Sequence, residues 1–419
     1  MLFSDWDEHP KVGLGPFGAD PELPDFIAAM QKTLRDFALN VARPIGRELD
    51  RMTPDDVIAE GSPYWDFRKQ YLELGITMEA IKEMDPADVG LLFAIVNEEL
   101  GFGDSGLAIS MGAGMLPQYI TAKIGNEFLM KRFPESMLGC WPITEPDHGS
   151  DTLDPNRKLL HPEGNYGRPN CIAKISDGKV TINGQKSAWV SNGTIAEVAI
   201  LFCAADTGNG PDPYRGAVVV VPLDADGVSR GKPLDKLGQR ALNQGEIFFD
   251  NVTLDIDYLL ADPDSYGKTL YLIHTEANSL MGSVFAGCAA SAYQLAYEYA
   301  HERKQGGVAI IRHQSVAHRI FTMARKVEAA RALCRRVLHY NFTNNPPALQ
   351  SGMMTKVLST QTAFEVASMA LQIFGGNGLT REYPIEKILR DARASLIEDG
   401  CNEILSMKGG WYLMDEDLL

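Results

Sequence analysis

The sequence predicts an α+β protein in which a helical domain, a β domain and a second helical domain follow one another along the chain. Three observations carry this. Apolar residues recur at helical spacing from Pro24 to about Phe133. Short β-branched and aromatic runs separated by turn residues replace them from about Met137 to Leu260, and long helical periods return from about Lys268. Strands and helices are segregated rather than alternating, which excludes a doubly wound α/β sheet. The corresponding domains are 24–136, 137–261 and 262–419.

In the first zone, Phe26 to Leu49 places Leu34, Phe37, Val41, Ile45 and Leu49 on one helical stripe, with Pro24 suited to the first turn. In the second, the runs Lys179 to Ile182, Val198 to Cys203, Ala217 to Val221 and Ile247 to Phe249 read as strands. Turn signals at Ser176-Asp177-Gly178 and Asp224-Ala225-Asp226-Gly227 separate them, as a compact antiparallel barrel or sandwich requires. In the third, Ala277 to Arg303, Ser315 to Asn341 and Met354 to Phe374 read as long helices. The run Gly13 to Gly18 spells G-x-G-x-x-G, but no strand precedes it and Pro16, Pro21 and Pro24 prevent a helix from opening on it, so it reads as a loop.

A chain of 419 residues with 45% apolar content can bury a large core. The net charge of −16 argues against a nucleic-acid partner, which needs clustered Lys and Arg. Six scattered cysteines, without a C-x-x-C pair or zinc-ligand spacing, read as reduced thiols that mostly fill core, and no metal is expected. The N-terminus lacks the pattern of a signal or transit peptide, and no run approaches the roughly eighteen apolar residues needed to span a membrane. A cytoplasmic protein that avoids membranes is the expectation.

Four motifs concentrate the chemistry. The run Gln372 to Gly400 joins the glycine cluster Gly375-Gly376-Asn377-Gly378 to the carboxylates Glu398 and Asp399. Trp141 to Asp151 contains Thr144-Glu145-Pro146 and Gly149-Ser150-Asp151, and Gly184 to Gly193 contains Lys186, Trp189, Ser191 and Asn192. The fourth is Glu302 to Gly307 with His313-Gln314-Ser315. Together, over most of the chain, they resemble the acyl-CoA dehydrogenase family. The resemblance implies that family's fold, with a C-terminal four-helix bundle, an FAD cofactor, an acyl-CoA substrate, an electron-transfer flavoprotein as acceptor, and a homotetramer binding FAD across a subunit boundary. Relative to shorter members, segment 152–175 looks like an inserted loop.

Roles follow by the same resemblance. Trp141, Ile143, Thr144, Gly149 and Ser150 would lie along the pyrimidine edge and pyrophosphate of the flavin, where several fixed donors suit the charge of the reduced ring. Trp189 would pack on the ring and Ser191 would offer its hydroxyl near N5, although one extra residue separates Lys186 from Trp189. Arg303, Gln305 and Gln314 would reach the FAD of a neighbouring subunit, with Gly306 standing where a Phe is common. Gln372, Gly375 and Gly376 would belong to the flavin-contacting glycine turn, whose backbone N–H groups would approach a phosphate closely.

The base is expected at Asp399, where the family usually has Glu, and its backbone N–H would bond the thioester oxygen. Its carboxylate sits about 1 Å nearer its own backbone than that of Glu, which points to a substrate that reaches toward it, such as a branched or cyclic acyl group, or to an altered reaction. Glu398, where a Tyr is frequent, is the alternative base, and Glu276 would need a shifted register to serve. Gly112, Ala113 and Gly114 fall near the segment lining the acyl pocket in relatives. Two other readings stay open. One is a flavin oxidase resembling nitroalkane oxidase, whose supporting serine and arginine would fall on Ala277 and Ser406; the other is a non-catalytic partner subunit, to which Cys401 and Glu403 lend weight.

Overall fold

The computed structural model describes residues 22–154 and 167–414. The Gly13 to Gly18 run and residues 155–166 of the expected insertion lie outside the described residues.

Helix α1 (Asp25–Phe37) passes through a π-helical turn, Ala38–Ala42, into α2 (Arg43–Leu49). Five helices follow: α3 (Pro54–Ile58), α4 (Pro63–Glu73), α5 (Met78–Ile81), α6 (Pro86–Gly103) and α7 (Ser105–Ile124); α8 (Glu127–Arg132) closes this part. Their starts follow local chemistry. Thr53, Ser62, Thr77, Asp85, Asp104 and Asn126 each accept a bond from a first-turn N–H, and Pro54, Pro63 and Pro86 occupy the first helical turn. Leu34 and Leu49 of the predicted stripe are fully buried.

The middle domain is one eight-stranded sheet: β1 (Gly139–Cys140), β2 (Cys171–Ser176), β3 (Lys179–Lys186), β4 (Val198–Asp206), β5 (Pro211–Pro222), β6 (Val228–Arg230), β7 (Ile247–Asp255) and β8 (Leu259–Ala261). The strand order is β6-β7-β3-β2-β4-β5-β8, with β1 beside β4. Most pairs are antiparallel, but β1 and β2 both pair with β4 in parallel. Residues 171–175, expected within an inserted loop, instead form strand. Cys171 and Ala173 alternate inward, and the backbone bonds to β3 and β4 on its two sides. Strand β4 is buried on both faces: Val198, Ile200 and Phe202 join the core shared with the helices, while Ala199, Leu201 and Cys203 join the core within the sheet. This explains why β4 reads as a continuous apolar run rather than an alternating one.

The last part comprises α9 (Tyr266–Glu302), a short hairpin of β9 (Lys304–Gln305) and β10 (Val308–Ala309), α10 (Gln314–Thr343) and α11 (Leu349–Phe374), then α12 (Ile385–Ser395) and α13 (Asn402–Met414). Helices α9, α10 and α11 pack on one another, α12 and α13 flank α11, and α6 packs on α9 and α10. Helix α12 ties the three parts together. Arg390 forks onto Asp50 (2.9 and 2.7 Å) and donates to the Leu237 carbonyl, while buried Lys387 bonds Asp104 and Asp391. All six cysteines are free and five are buried, Cys401 being partly exposed. Among the described residues no cluster suits a metal ion and no helix is long and apolar enough to cross a membrane.

Candidate active site

Asp399 sits in the turn between α12 and α13, at φ +50°, with Gly400 beside it at +90°. A left-handed aspartate followed by a left-handed glycine turns the chain sharply between the two helices. Among the described residues neither the backbone N–H nor the carboxylate of Asp399 has a hydrogen-bond partner. Burial raises the proton affinity of this carboxyl, opposed by the positive charge of Lys356. Glu398 alongside is pushed up to about 7, first by burial and then by the Asp399 charge. Lys356, fully buried on α11, donates to the Gly400 carbonyl (2.7 Å) and to Asn402 Oδ1 (2.9 Å).

One loop, residues 234–245, faces this turn. Gln239 Nε2 donates to Glu398 Oε1 (2.6 Å), and the Gln239 N–H donates to Asp391 Oδ1. Three residues earlier, Lys236 Nζ donates to the Leu242 carbonyl (2.6 Å) and Gln244 Oε1 (2.8 Å). Burial lowers Lys236 to about 8, against the attraction of Glu398 and Asp391. Gln244 Nε2 in turn donates to the Trp189 carbonyl (3.2 Å) and to Ser191 Oγ (3.3 Å). The loop therefore grips the carboxylate turn at one end and the Trp189–Ser191 segment at the other. The Trp189 side of that segment is open, with Trp189 62% exposed. Its other side is fixed by buried Asn192, whose Nδ2 donates to the carbonyls of Ser110 (2.8 Å) and Gly139 (3.2 Å).

The Trp141 to Asp151 segment lies against β3. Buried Lys186 pairs with Glu145 (2.6 Å) and donates to the Ile143 carbonyl (3.1 Å). The extra residue in the β3 exit brings Ser187 Oγ to Thr144 Oγ1 (2.6 Å), so the Thr144 hydroxyl already has a partner. Trp141 packs edge-on to Phe202 and against His274. The Gly149 N–H donates to Asp151 Oδ1 (2.7 Å), and Ser150 opens a short 3-10 turn.

The remaining residues form a second group at the far end of the bundle. Tyr299 of α9 stacks on Phe374 at the end of α11 (4.1 Å), and Asn377 Nδ2 donates to the Tyr299 hydroxyl (2.9 Å). Arg303 caps α9 one turn beyond Tyr299, and the turn carrying Gly375 and Gly376 follows directly on Phe374. Arg303, Gln305, Gln314, Gln372, Gly375 and Gly376 are all exposed. About 27 Å of helix, at 1.5 Å per residue, lies between Lys356 and Phe374 of α11. Within one chain the two groups are thus separate.

The residues present fit a flavin dinucleotide. A Cβ added at Gly149, Gly375 or Gly376 would meet nothing within 4 Å, and the donors are of the kinds that bond a ring edge and phosphates. Glu276 stands elsewhere: its carboxylate faces α7, where Lys123 Nζ lies 3.2 Å away. Lys356, Lys236, Gln239 and Gln244 were not singled out from sequence. Lys356 had a signal, because it falls on the core-facing stripe of its helix with Met353 and Thr360, where a lysine needs a partner. The loop residues had none: Gln239 and Gln244 reach partners more than fifty residues away in the chain, and Lys236 bonds within a loop that has no period.

Comparison with known proteins bears on the fold and the family. The family profile "Acyl-CoA dehydrogenase, C-terminal domain" matches residues 278–409, and "Acyl-CoA dehydrogenase, middle domain" matches 140–252. A probable acyl-CoA dehydrogenase of Bacillus subtilis is 28% identical over 74% of this chain and 79% of its own length. A short-chain-specific acyl-CoA dehydrogenase of Megasphaera elsdenii is 28% identical over 82% of this chain and 88% of its own. The solved butyryl-CoA dehydrogenase of Megasphaera elsdenii superposes with a TM-score of 0.81 at 25% identity, covering 94% of this chain and all of the other.

Proposed function

Because this chain belongs to the acyl-CoA dehydrogenase family, we propose that it is an FAD-dependent oxidoreductase that desaturates an acyl-CoA thioester between Cα and Cβ, with Asp399 as base. The observation that carries the reading is the unpaired state of Asp399: its backbone N–H and its carboxylate both lack partners among the described residues. The N–H is a donor for the thioester oxygen, which gains charge as the α-proton leaves, and the carboxylate takes that proton. Burial raises the proton affinity of Asp399 and so strengthens it as a base. Glu398 is held by Gln239 instead, which supports a supporting role for it. Flavin, when bound, supplies the acceptor for the hydride leaving Cβ.

Trp189, Ser191, Thr144 and Ser150 would hold the ring side of FAD, with Trp141, Ile143 and Gly149 shaping their segment. Arg303, Gln305, Gln314, Gln372, Gly375 and Gly376 would hold FAD of a neighbouring copy, a reading supported by the separation of the two groups along α11. A homotetramer and an electron-transfer flavoprotein acceptor belong to the same reading. Room for a branched or cyclic acyl group is supported at Gly112, where a Cβ would meet nothing within 4 Å; at Gly114 it would meet Leu138 at 2.8 Å. The oxidase reading is weaker, since Ala277 offers no polar side-chain atom and the Ser406 hydroxyl is bonded to the Asn402 carbonyl.

The test is anaerobic mixing with straight, branched and cyclic acyl-CoA thioesters while flavin absorbance is followed. Bleaching by one thioester, abolished in Asp399→Asn with FAD still bound, is the expected outcome. Bleaching only by a nitroalkane would favour the oxidase, and a chain purified without flavin would favour a partner subunit. Wild-type bleaching in Asp399→Asn would move the base elsewhere.

A further inference from the structure

Lys356 is buried among apolar and small residues of α11, where an ammonium costs far more than a methionine of similar length. Two of its three protons are committed to one short stretch of chain, the Gly400 carbonyl and Asn402 Oδ1. Asn402 is itself anchored to α11, with its Nδ2 donating to Thr360 Oγ1 (3.0 Å). The titratable groups that face the ammonium are Glu398, Asp399, Cys401 and Glu403 from the turn and α13, while Lys236 lies on the loop at Glu398. Among the described residues, Lys356 is the cation whose charge acts on Asp399, and Asp399 has no hydrogen bond of its own.

We propose that Lys356 is the positioning residue of the base: it clamps the 400–402 backbone, so that Asp399 keeps its left-handed conformation, and it places its positive charge at the Asp399 turn. This rests on Asp399 being the base. The two tasks are separable. The clamp needs only a donor, which a neutral amide supplies, whereas the electrostatic task needs the charge. A nearby positive charge favours the ionised carboxyl, so its removal moves the ionisation of Asp399 upward.

The experiment is the rate of anaerobic flavin bleaching, by the best thioester, as a function of pH. In Lys356→Gln the ascending limb moves to higher pH, with FAD content and melting temperature kept. In Asn402→Ala, which weakens the clamp and keeps the charge, the plateau rate falls and the limb stays in place. An unmoved limb in Lys356→Gln, or an equal shift in Asn402→Ala, overturns the proposal. Should Lys356→Gln lose FAD, Lys356→Arg replaces it, and a limb displaced despite the retained charge overturns the proposal as well. Asp399→Asn separates the two failures. Loss of bleaching there leaves the base assignment standing whatever Lys356 does, and wild-type bleaching removes both.

Discussion

At the scale of the residue, the two adjacent carboxyls differ in what they touch. Asp399 has no hydrogen-bond partner among the described residues and feels the charge of Lys356, whereas Glu398 is bonded by Gln239 and pushed up to about 7 by burial and by Asp399. A carboxyl whose folded pKa exceeds its unfolded value costs stability when ionised. That cost is full above pH 7, fades as pH falls through 7 toward the unfolded value near 4.5, and is absent below. Glu398→Gln, which keeps an acceptor for Gln239, therefore raises the melting temperature of the FAD-loaded protein at pH 8, and the gain largely disappears at pH 5. Calorimetry at the two pH values checks this; an equal gain at both would mean that Glu398 carries no such cost. The carboxylate pair itself was legible in the sequence, because it ends a run of glycine and charge with little ambiguity. The division of labour was not, because it depends on which neighbour reaches which oxygen.

At the scale of the element, the 234–245 loop matters because it joins the carboxylate turn, through Gln239, to the Trp189–Ser191 segment, through the Gln244 side chain and the backbone bond from the Asn192 N–H to the Asn243 carbonyl. Gly238 lies hard against α12, and a Cβ there would stand 2.4 Å from the Arg390 backbone. Backbone cannot yield as a flexible side chain can, so Gly238→Ala must lift the loop and carry Gln239 away from Glu398. The expected cost is about 1–3 kcal/mol in denaturant unfolding. Turnover should drop by about tenfold or more, since displacements near 1 Å at a catalytic site cost on that scale. Unchanged turnover with lowered stability would show that the loop supports the fold and not the base. Helices and most strands were readable from apolar period, and β2 was missed because its inward positions are a cysteine and an alanine, a weak apolar signal amid prolines and glycines. The loop carries no period at all, and its importance comes from its partners.

At the scale of the whole molecule, the Arg303 group and the Asp399 group lie apart within one chain, and in the proposed enzyme they would meet on FAD only across a boundary between copies. Arg303→Ala should leave the protomer folded, since the side chain is exposed, while FAD affinity falls by about tenfold or more through loss of a charge-assisted fork to phosphate. Flavin retention after gel filtration, read beside the sedimentation coefficient, checks this. Full retention would mean that Arg303 serves only the surface.

The sequence by itself determined the helix, strand, helix order, the family, and the motifs that bring a carboxylate, a tryptophan and a glycine turn into one protein. Those depend on local period and on short runs whose spacing survives in the linear chain. Tertiary structure decided which of the polar residues meet. Lys356 and Gly400 are far apart in sequence and 2.7 Å apart in space, and Gln239 reaches Glu398 from another domain. A buried charge is affordable only where packing supplies its partner, and no linear pattern records where the chain will return to supply it.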